Sequence, residues 1–296
     1  IYILEGIKLM KKTLIALAVV ASTAVSGSAM AGLGAWEENS AGGSVSIGGT
    51  ITVDDTPVWL VATGSGYTNF ANNGTDLVNG NELSLPVQEA IPVLAIKTKG
   101  IYSADSYSKG VMPSVVVSGG DGIQISRTNW NNNGGFDFSV PVYADSQAVG
   151  TAKITDARVA GVMYGTPDSG DTGIKLVVSD NYNVSTSLYA GLVGGNHQAT
   201  DIDTAEDILN QLGMSDLVSE LQGRVGQVTN WADQGWMQSL TPNEANSRFN
   251  IEKMSTAATG MGFGLVNGSK IDLTFTQKVT HTTNWSIPLN VTVAYN

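Results

Sequence analysis

The chain is predicted to be an all-β protein interrupted by two short helices, and three observations lead there. The first is a series of short alternating runs, each bounded by clusters such as NNGTD, SGGDG and NNNGG, which is the chemistry of tight reversals. The second is composition: 35 glycines, no cysteine, and many Ser, Thr, Asn and Val residues. Such a chain suits an extracellular β protein held by packing and strand pairing rather than by disulfides. The third is one break in the pattern, between about residues 201 and 231, where apolar residues recur at helical spacing. Many short strands in this arrangement read as a sandwich or a barrel.

The first nine residues, IYILEGIKL, fit no targeting plan and are read as a translated leader. From Met10 the sequence MKKTLIALAVVASTAVSGSAMA has basic Lys11 and Lys12, an apolar run and an Ala29-Met30-Ala31 cleavage pattern. Residues 10–31 are therefore expected to be a secretory signal peptide. Glu5, Lys8, Lys11 and Lys12 argue against a membrane anchor over residues 1–25. The formal charge of the whole chain is −11, and loss of the lysine-bearing leader makes the remainder more negative still. A surface of that sign repels phosphate backbones, which excludes nucleic acid as a partner.

The first element of the remaining chain lies in GGSVSIGGTITVDD, residues 42–55. Val45, Ile47, Gly49, Ile51 and Val53 share one face, and Ser44, Ser46, Gly48, Thr50 and Thr52 share the other. This is a strand with one apolar face and no turn to hand it to a neighbour. Residues 32–55 are accordingly expected to form an extension, with the main domain over 56–296. Further strands are expected over 58–62, 82–87, 93–97, 114–117, 123–126, 136–143, 150–156, 174–178, 270–277 and 287–295. In the break, Thr204 followed by Asp207 resembles a helix start, Ile208, Leu209 and Leu212 form an apolar stripe, and Gly213 is a stop. Ser215 is expected to cap a second helix that carries Leu217, Val218 and Leu221 as far as Gly223. Strands resume near Lys270, so an insertion over about 165–250 is predicted inside the β domain.

Little in the sequence supports catalysis. His197 and His281 are the only histidines, and neither a zinc ligand set nor a GxSxG nucleophile motif accompanies them. No cofactor is expected, and the chain is read as a non-enzyme. The acidic groups Asp168 to Asp171 and Asp201, Asp203, Glu206, Asp207 lack calcium-loop spacing, and the second suits a helix N-terminus. The glycines of GMGFGLVNG, 260–268, lack the strand-to-helix setting of a nucleotide loop and read as a flexible strand entry. Trp231 and Trp236, flanked by Asn230, Asp233 and Gln234, offer the flat apolar faces and polar edges that a sugar ring needs. The alternative is that both tryptophans pack the helices onto the sheet.

The final run, NWSIPLNVTVAYN, alternates like the first: Trp285, Ile287, Leu289, Val291, Val293 and Tyr295 are apolar, and Pro288 marks an edge strand or a strand's beginning. A patterned strand at each extremity suggests edges offered to other chains, a hazard most proteins suppress.

The stretches GSVSIGGTITVDD (43–55), VWLVATGSGYTNFAN (58–72), FSVPVYADSQAVGTAKITDARVAGV (138–162), EDILNQL (206–212) and NWSIPLNVTVAY (284–295) resemble the FaeG-like group of major fimbrial subunits and adhesins of the chaperone-usher pathway, from enterotoxigenic enteric bacteria. The resemblance implies an incomplete immunoglobulin-like sandwich completed by donor-strand exchange, with an inserted subdomain containing short helices. It implies as partners identical subunits, a periplasmic pilus chaperone, an outer-membrane usher and host-cell glycoconjugates, with export through the periplasm to a surface fimbria. Val45, Ile47, Gly49, Ile51 and Val53 match the donor strand of that group, and Ile287, Leu289, Val291, Val293 and Tyr295 match the C-terminal strand bordering the acceptor groove. Glycan contact is implied for the insertion, where the candidates are Asp171, Lys175, Asp180 and Tyr182, with Trp231 and Trp236 beside them. A minor pilus subunit of the same family is an alternative reading, and an outer-membrane β-barrel is a second.

Overall fold

The computed structural model describes residues 57–295, apart from residues 69, 104–105, 108–111, 132, 168–171, 179–187, 193–198, 200, 227, 229 and 238–253. The expected strand over 45–53 lies outside the described residues. The described chain is all-β with two helices: β1 (Trp59–Thr63), β2 (Glu82–Pro86), β3 (Ile91–Thr98), β4 (Pro113–Gly119), β5 (Gly135–Ala144), β6 (Gln147–Pro167), β7 (Thr172–Val178), α1 (Ile202–Gln211), α2 (Ser215–Val225), β8 (Asn230–Met237), β9 (Met254–Phe275), β10 (Trp285–Ser286) and β11 (Leu289–Tyr295). A large sheet runs β1-β3-β9-β6-β5-β10, with β2 against β9 and β7 and β8 continuing from β6. Facing it is a small sheet of β11 and β4 alone.

Two strands are far longer than the alternation predicts, and β6 shows why. Before residue 156 its even residues, Ala152 and Ile154, are buried in the inter-sheet core; after it the odd residues, Ala157, Val159 and Met163, take their place. The pairing with β9 shifts register between Thr155 and Ala157, and Asp156 between them has φ 60°. One extra residue thus swaps the faces of the strand, as a β-bulge does. Beyond the bulge both faces of β6 are covered, so the run reads apolar throughout and its period disappears. The bulge is held by polar contacts: the Ser269 hydroxyl donates to the Asp156 carbonyl at 2.8 Å, and the Asp156 N–H donates to Asp137 Oδ1 at 3.1 Å.

The second cover is the helix pair. Ile202, Ala205, Ile208 and Leu209 of α1 and Leu217, Val218, Leu221 and Val225 of α2 pack on Ala160, Val162, Tyr164, Val177, Ala258 and Val266 of the large sheet. Asp201 supplies the N-cap of α1, accepting from the Thr204 N–H at 2.7 Å, one turn earlier than the sequence suggests. Its end matches expectation: Met214 N–H reaches the Leu209 carbonyl and Gly213 N–H that of Asn210, with Gly213 at φ +74°, a Schellman arrangement that glycine makes cheap. Ser215 is the first residue of α2 rather than its cap, because Met214 occupies the cap position.

The GMGFG run is corrected by this packing. Strand β9 begins at Met254, not near Lys270, and Gly260, Gly262 and Gly264 lie on its helix side. A Cβ at Gly260 would stand 2.9 Å from Leu221 Cδ1, one at Gly262 would overlap the Met214 sulfur and stand 2.7 Å from Leu209 Cδ2, and one at Gly264 would first meet the Ile91 carbonyl oxygen of β3 at 2.5 Å, with Leu212 Cδ2 3.0 Å away. The glycines are a flat seat on which α1, α2 and their linker rest, not a flexible entry.

Another expectation fails at 123–126. These residues form no strand; a single bridge links Gln124 to Ser118. The chain turns back at Gly122, φ +77°, burying Ile125 but leaving Ile123 68% exposed. The run is too short to pair beyond its own turn.

Candidate functional site: an apolar groove beside the last strand

β11 pairs with β4 in antiparallel register, Leu289 opposite Gly119, Val291 opposite Val117, Val293 opposite Val115. Among the described residues it has no second neighbour. Its burial alternates as the sequence predicts, with Asn290, Thr292 and Ala294 exposed and Leu289, Val291 and Val293 turned inward. Inward here means only half-buried. On β4, by contrast, Val115 and Val117 are 0% and 2% exposed. The apolar face of the small sheet is therefore sealed on one strand and open on the other.

The opening is a groove of about 980 Å³. Ile154, Leu265 and Ile271 of the large sheet line it, with Ile91 and Val93 of β3, the segment after β1 that includes Tyr67 and Phe70, and residues 283–291. Ile154, Leu265 and Ile271 form a buried floor, whereas Phe70, Ile91, Val93, Trp285, Ile287, Leu289 and Val291 pack on the main core but remain only partly covered. A second open ladder edge lies on β1, which among the described residues pairs with β3 alone. Val61 of β1, opposite Ile96, is 41% exposed. An apolar trough beside an unpaired strand edge leaves both transfer free energy and hydrogen bonds unrealised, and a single extended strand with one apolar face can supply both.

Pro288 explains why the expected strand 287–295 begins only at Leu289, with a separate short strand, Trp285–Ser286, before it. Trp285 and Ser286 pair with Ala144 and Tyr143 of the large sheet, whereas Leu289 starts the ladder of the small one. Pro288, which lacks an N–H, lies at the crossing. Ile287, Leu289 and Val291 line the groove; Val293 packs on the core farther along, and Tyr295 is 45% exposed.

The candidates in the insertion are dispersed. Asp171, Asp180 and Tyr182 lie outside the described residues, as do Val45, Ile47, Gly49, Ile51 and Val53. Lys175 projects from β7 toward α1, 3.4 Å from Asp203 and 3.6 Å from Glu206. Trp231 packs edge-on against Tyr164, ring centroids 5.5 Å apart, and lies across Gly173, where a Cβ would meet its ring at 2.6 Å. It thus helps seal the helices to the sheet. Trp236 is opposite Val177 in the β7–β8 ladder. Tyr164 donates to Glu206 at 2.8 Å; burial, then the neighbouring Glu206 charge, raises its pKa well above the usual phenol value. The acidic residues of α1 are engaged in holding the helix: Asp201 caps it, and Glu206 takes the Tyr164 hydroxyl and the Gln222 amide.

Sequence reasoning missed the wall opposite β11. Nothing in the periodicity marks Tyr67 and Phe70, which lie in an irregular segment, as groove residues. Their aromatic character beside a glycine-rich loop was the only available signal.

Comparison with known proteins bears on this groove. A family model described as fimbrial, major and minor subunit matches residues 10–296. K88 fimbrial protein AC of Escherichia coli is 32% identical over 300 residues, covering 97% of this chain and all of that protein. K88 fimbrial protein AB of the same organism is 32% identical over 302 residues, with the same coverage. F41 fimbrial protein of Escherichia coli is 28% identical over 304 residues, again 97% of this chain and all of that protein.

Proposed function

The chain belongs to the family of fimbrial major and minor subunits, and from this we propose that it is the major structural subunit of a surface fimbria, polymerised by donor-strand exchange. The observation that carries the proposal is the groove beside β11, where Leu289 and Val291 are only half-buried although their ladder partners are sealed. In this reading residues 42–55 of one copy enter the groove of the next. Their apolar positions Val45, Ile47, Gly49, Ile51 and Val53 then cover the face that β11 leaves open. The exposed edge of β11 gains a ladder partner at the same time, which satisfies its backbone groups.

The route follows from the same reading. Residues 10–31 direct export, a periplasmic pilus chaperone holds the open groove until assembly, and an outer-membrane usher passes subunits to the cell surface. Adhesion to host-cell glycoconjugates is proposed for the insertion about 165–250, with Asp171, Lys175, Asp180, Tyr182, Trp231 and Trp236 as the candidates. The Lys175 ion pairs and the packing of Trp231 favour a supporting role for those two, with direct contact left to Asp171, Asp180, Tyr182 and Trp236.

One experiment tests the core of this. The chain lacking residues 1–55 is expressed with and without a pilus chaperone, and a synthetic peptide of residues 42–55 is then added. Dependence on chaperone or peptide for a stable monomer is the expected result. A stable monomer without either overturns the incomplete-domain reading.

A further inference from the structure

The two ends of the sandwich differ. At one, Trp59 opens β1 beside Tyr189, ring centroids 5.8 Å apart; the Tyr189 N–H donates to the Pro113 carbonyl, and Pro113 stands opposite Tyr295. The chain thus enters β1 where β11 finishes. At the other end, Thr63 closes β1 and lines the groove together with Trp285 and Ser286, just before β11 begins. The Tyr295 end exposes apolar residues: Val58 is 48% exposed and Ile101 41%. They lie together, since the Val58 carbonyl accepts the Lys99 N–H and the Val58 N–H donates to the Tyr102 hydroxyl at 3.0 Å. The Trp285 end carries a cavity of about 440 Å³, with buried Leu83 and Phe275 in its floor and exposed Asn72, Asn73, His281 and Thr282 at its rim. Thr283 and Trp285 line both this cavity and the groove, so the two openings adjoin.

Resting on the donor-strand reading, we propose that this cavity is the seat for the Tyr295 end of the next copy in the fibre, with Val58 and Ile101 of that copy facing it. Chain length brings them there. Asp54, Asp55 and Thr56 alone separate Val53 from Pro57, which is buried in the body, so Val58 of one copy stands within about 18 Å of the groove that holds its Val53. Symmetry decides which end of that groove is meant. A strand entering by the neighbour's Tyr295 end would meet the start of the neighbour's own extension, which would return to the first copy and close a two-fold pair. An open filament needs unlike ends to meet, so the strand enters at the Trp285 end. Residues 45–53 extend over about 27 Å against about 20 Å for Leu289 to Tyr295, which leaves Val53 at the groove mouth, beside the cavity. An apolar floor within a polar rim is the composition of an interface between separately folded proteins. Two bodies joined by so short a link and nothing else move relative to one another. The seat restrains that motion and stiffens the fibre, which strand exchange alone does not do.

The test exploits the absence of cysteine from the chain. Full chains carrying Ile101→Cys and His281→Cys together are assembled into fibres with chaperone and usher, treated with a short bismaleimide and fully denatured. A ladder of covalent oligomers is expected from the pair, and monomer alone from either single variant. Val58→Cys with Thr282→Cys is the second pair, used if the first does not assemble. In electron micrographs, Val58→Asp with Ile101→Asp should still give fibres, with a persistence length reduced about twofold. Fibres that yield no ladder from either pair and keep their stiffness in the aspartate variant overturn the seat while leaving donor-strand exchange standing. Covalent dimers from Ile101→Cys alone would join like ends and overturn the seat as well. Fibres formed equally well by a chain lacking residues 42–55 overturn the donor-strand reading, and the seat with it.

Discussion

Val117 and Val291 stand opposite each other in the β4–β11 ladder, both turned to the same core, yet Val117 is 2% exposed and Val291 is only half-buried. The difference is one strand's width: β4 is flanked by chain on its far side, through bridges to Ala190 and Gln124, and among the described residues β11 is not. A valine half out of water retains transfer free energy that only a further strand can collect.

That residual burial is measurable. Val291→Ala should lower the stability of the chain alone by about 1 kcal/mol or less, and that of its complex with the 42–55 peptide by about 1–2 kcal/mol more, because the methyl groups are fully buried only in the complex. Thermal unfolding with and without peptide gives both values, and equal losses would contradict the assignment.

Gly49→Leu should abolish fibres while leaving export to the periplasm intact. A large side chain at the centre of the donor face needs depth that the position is read as lacking. Electron microscopy and periplasmic fractionation provide the two readouts; fibres of normal length from this mutant would refute the donor assignment.

The glycine seat of the helices makes a separate prediction. Gly262→Val places a branched side chain against the Met214 sulfur and Leu209, and should cost about 1–3 kcal/mol by overpacking. Met214→Ala alone is destabilising, but combined with Gly262→Ala it should recover part of the loss, a coupling that a double-mutant cycle detects.

Acid sensitivity should depend in part on Asp137. Burial by itself would raise its carboxyl, but the Asn129 amide at 2.7 Å, the Asp156 N–H and the Lys153 ammonium together hold it below the ordinary aspartate value. A carboxyl depressed in the folded state contributes stability that is present above the unfolded pKa and is lost as pH falls through the folded one. Asp137→Asn should therefore flatten the loss of stability below about pH 4. Urea midpoints between pH 2 and pH 6 test this, and an unchanged slope would remove Asp137 from the account.

Some of this architecture was legible in the residues. The alternation of 287–295 predicted a one-faced strand, and Pro288 marked an edge strand or a strand's beginning, which the start of β11 at Leu289 matches. Ile208, Leu209 and Leu212 marked α1, and Gly213 its end. What failed did so for identifiable reasons. Asp156 looked like the end of a strand because a left-handed bulge residue resembles a turn. Gly260, Gly262 and Gly264 looked flexible because the side chains that need their flatness belong to helices some 40–55 residues earlier. The groove was legible only on one side, from Ile287, Leu289 and Val291. Its other wall, Tyr67 and Phe70, has no period to read.

By itself, then, the sequence determined which faces are apolar and where the chain turns, because side-chain spacing records backbone geometry directly. Only the tertiary structure decided which of those faces are covered. Val291 and Val117 carry the same residue type in the same pattern, and what separates them is the presence or absence of a neighbour on the far side, a fact of three-dimensional adjacency that no local period encodes.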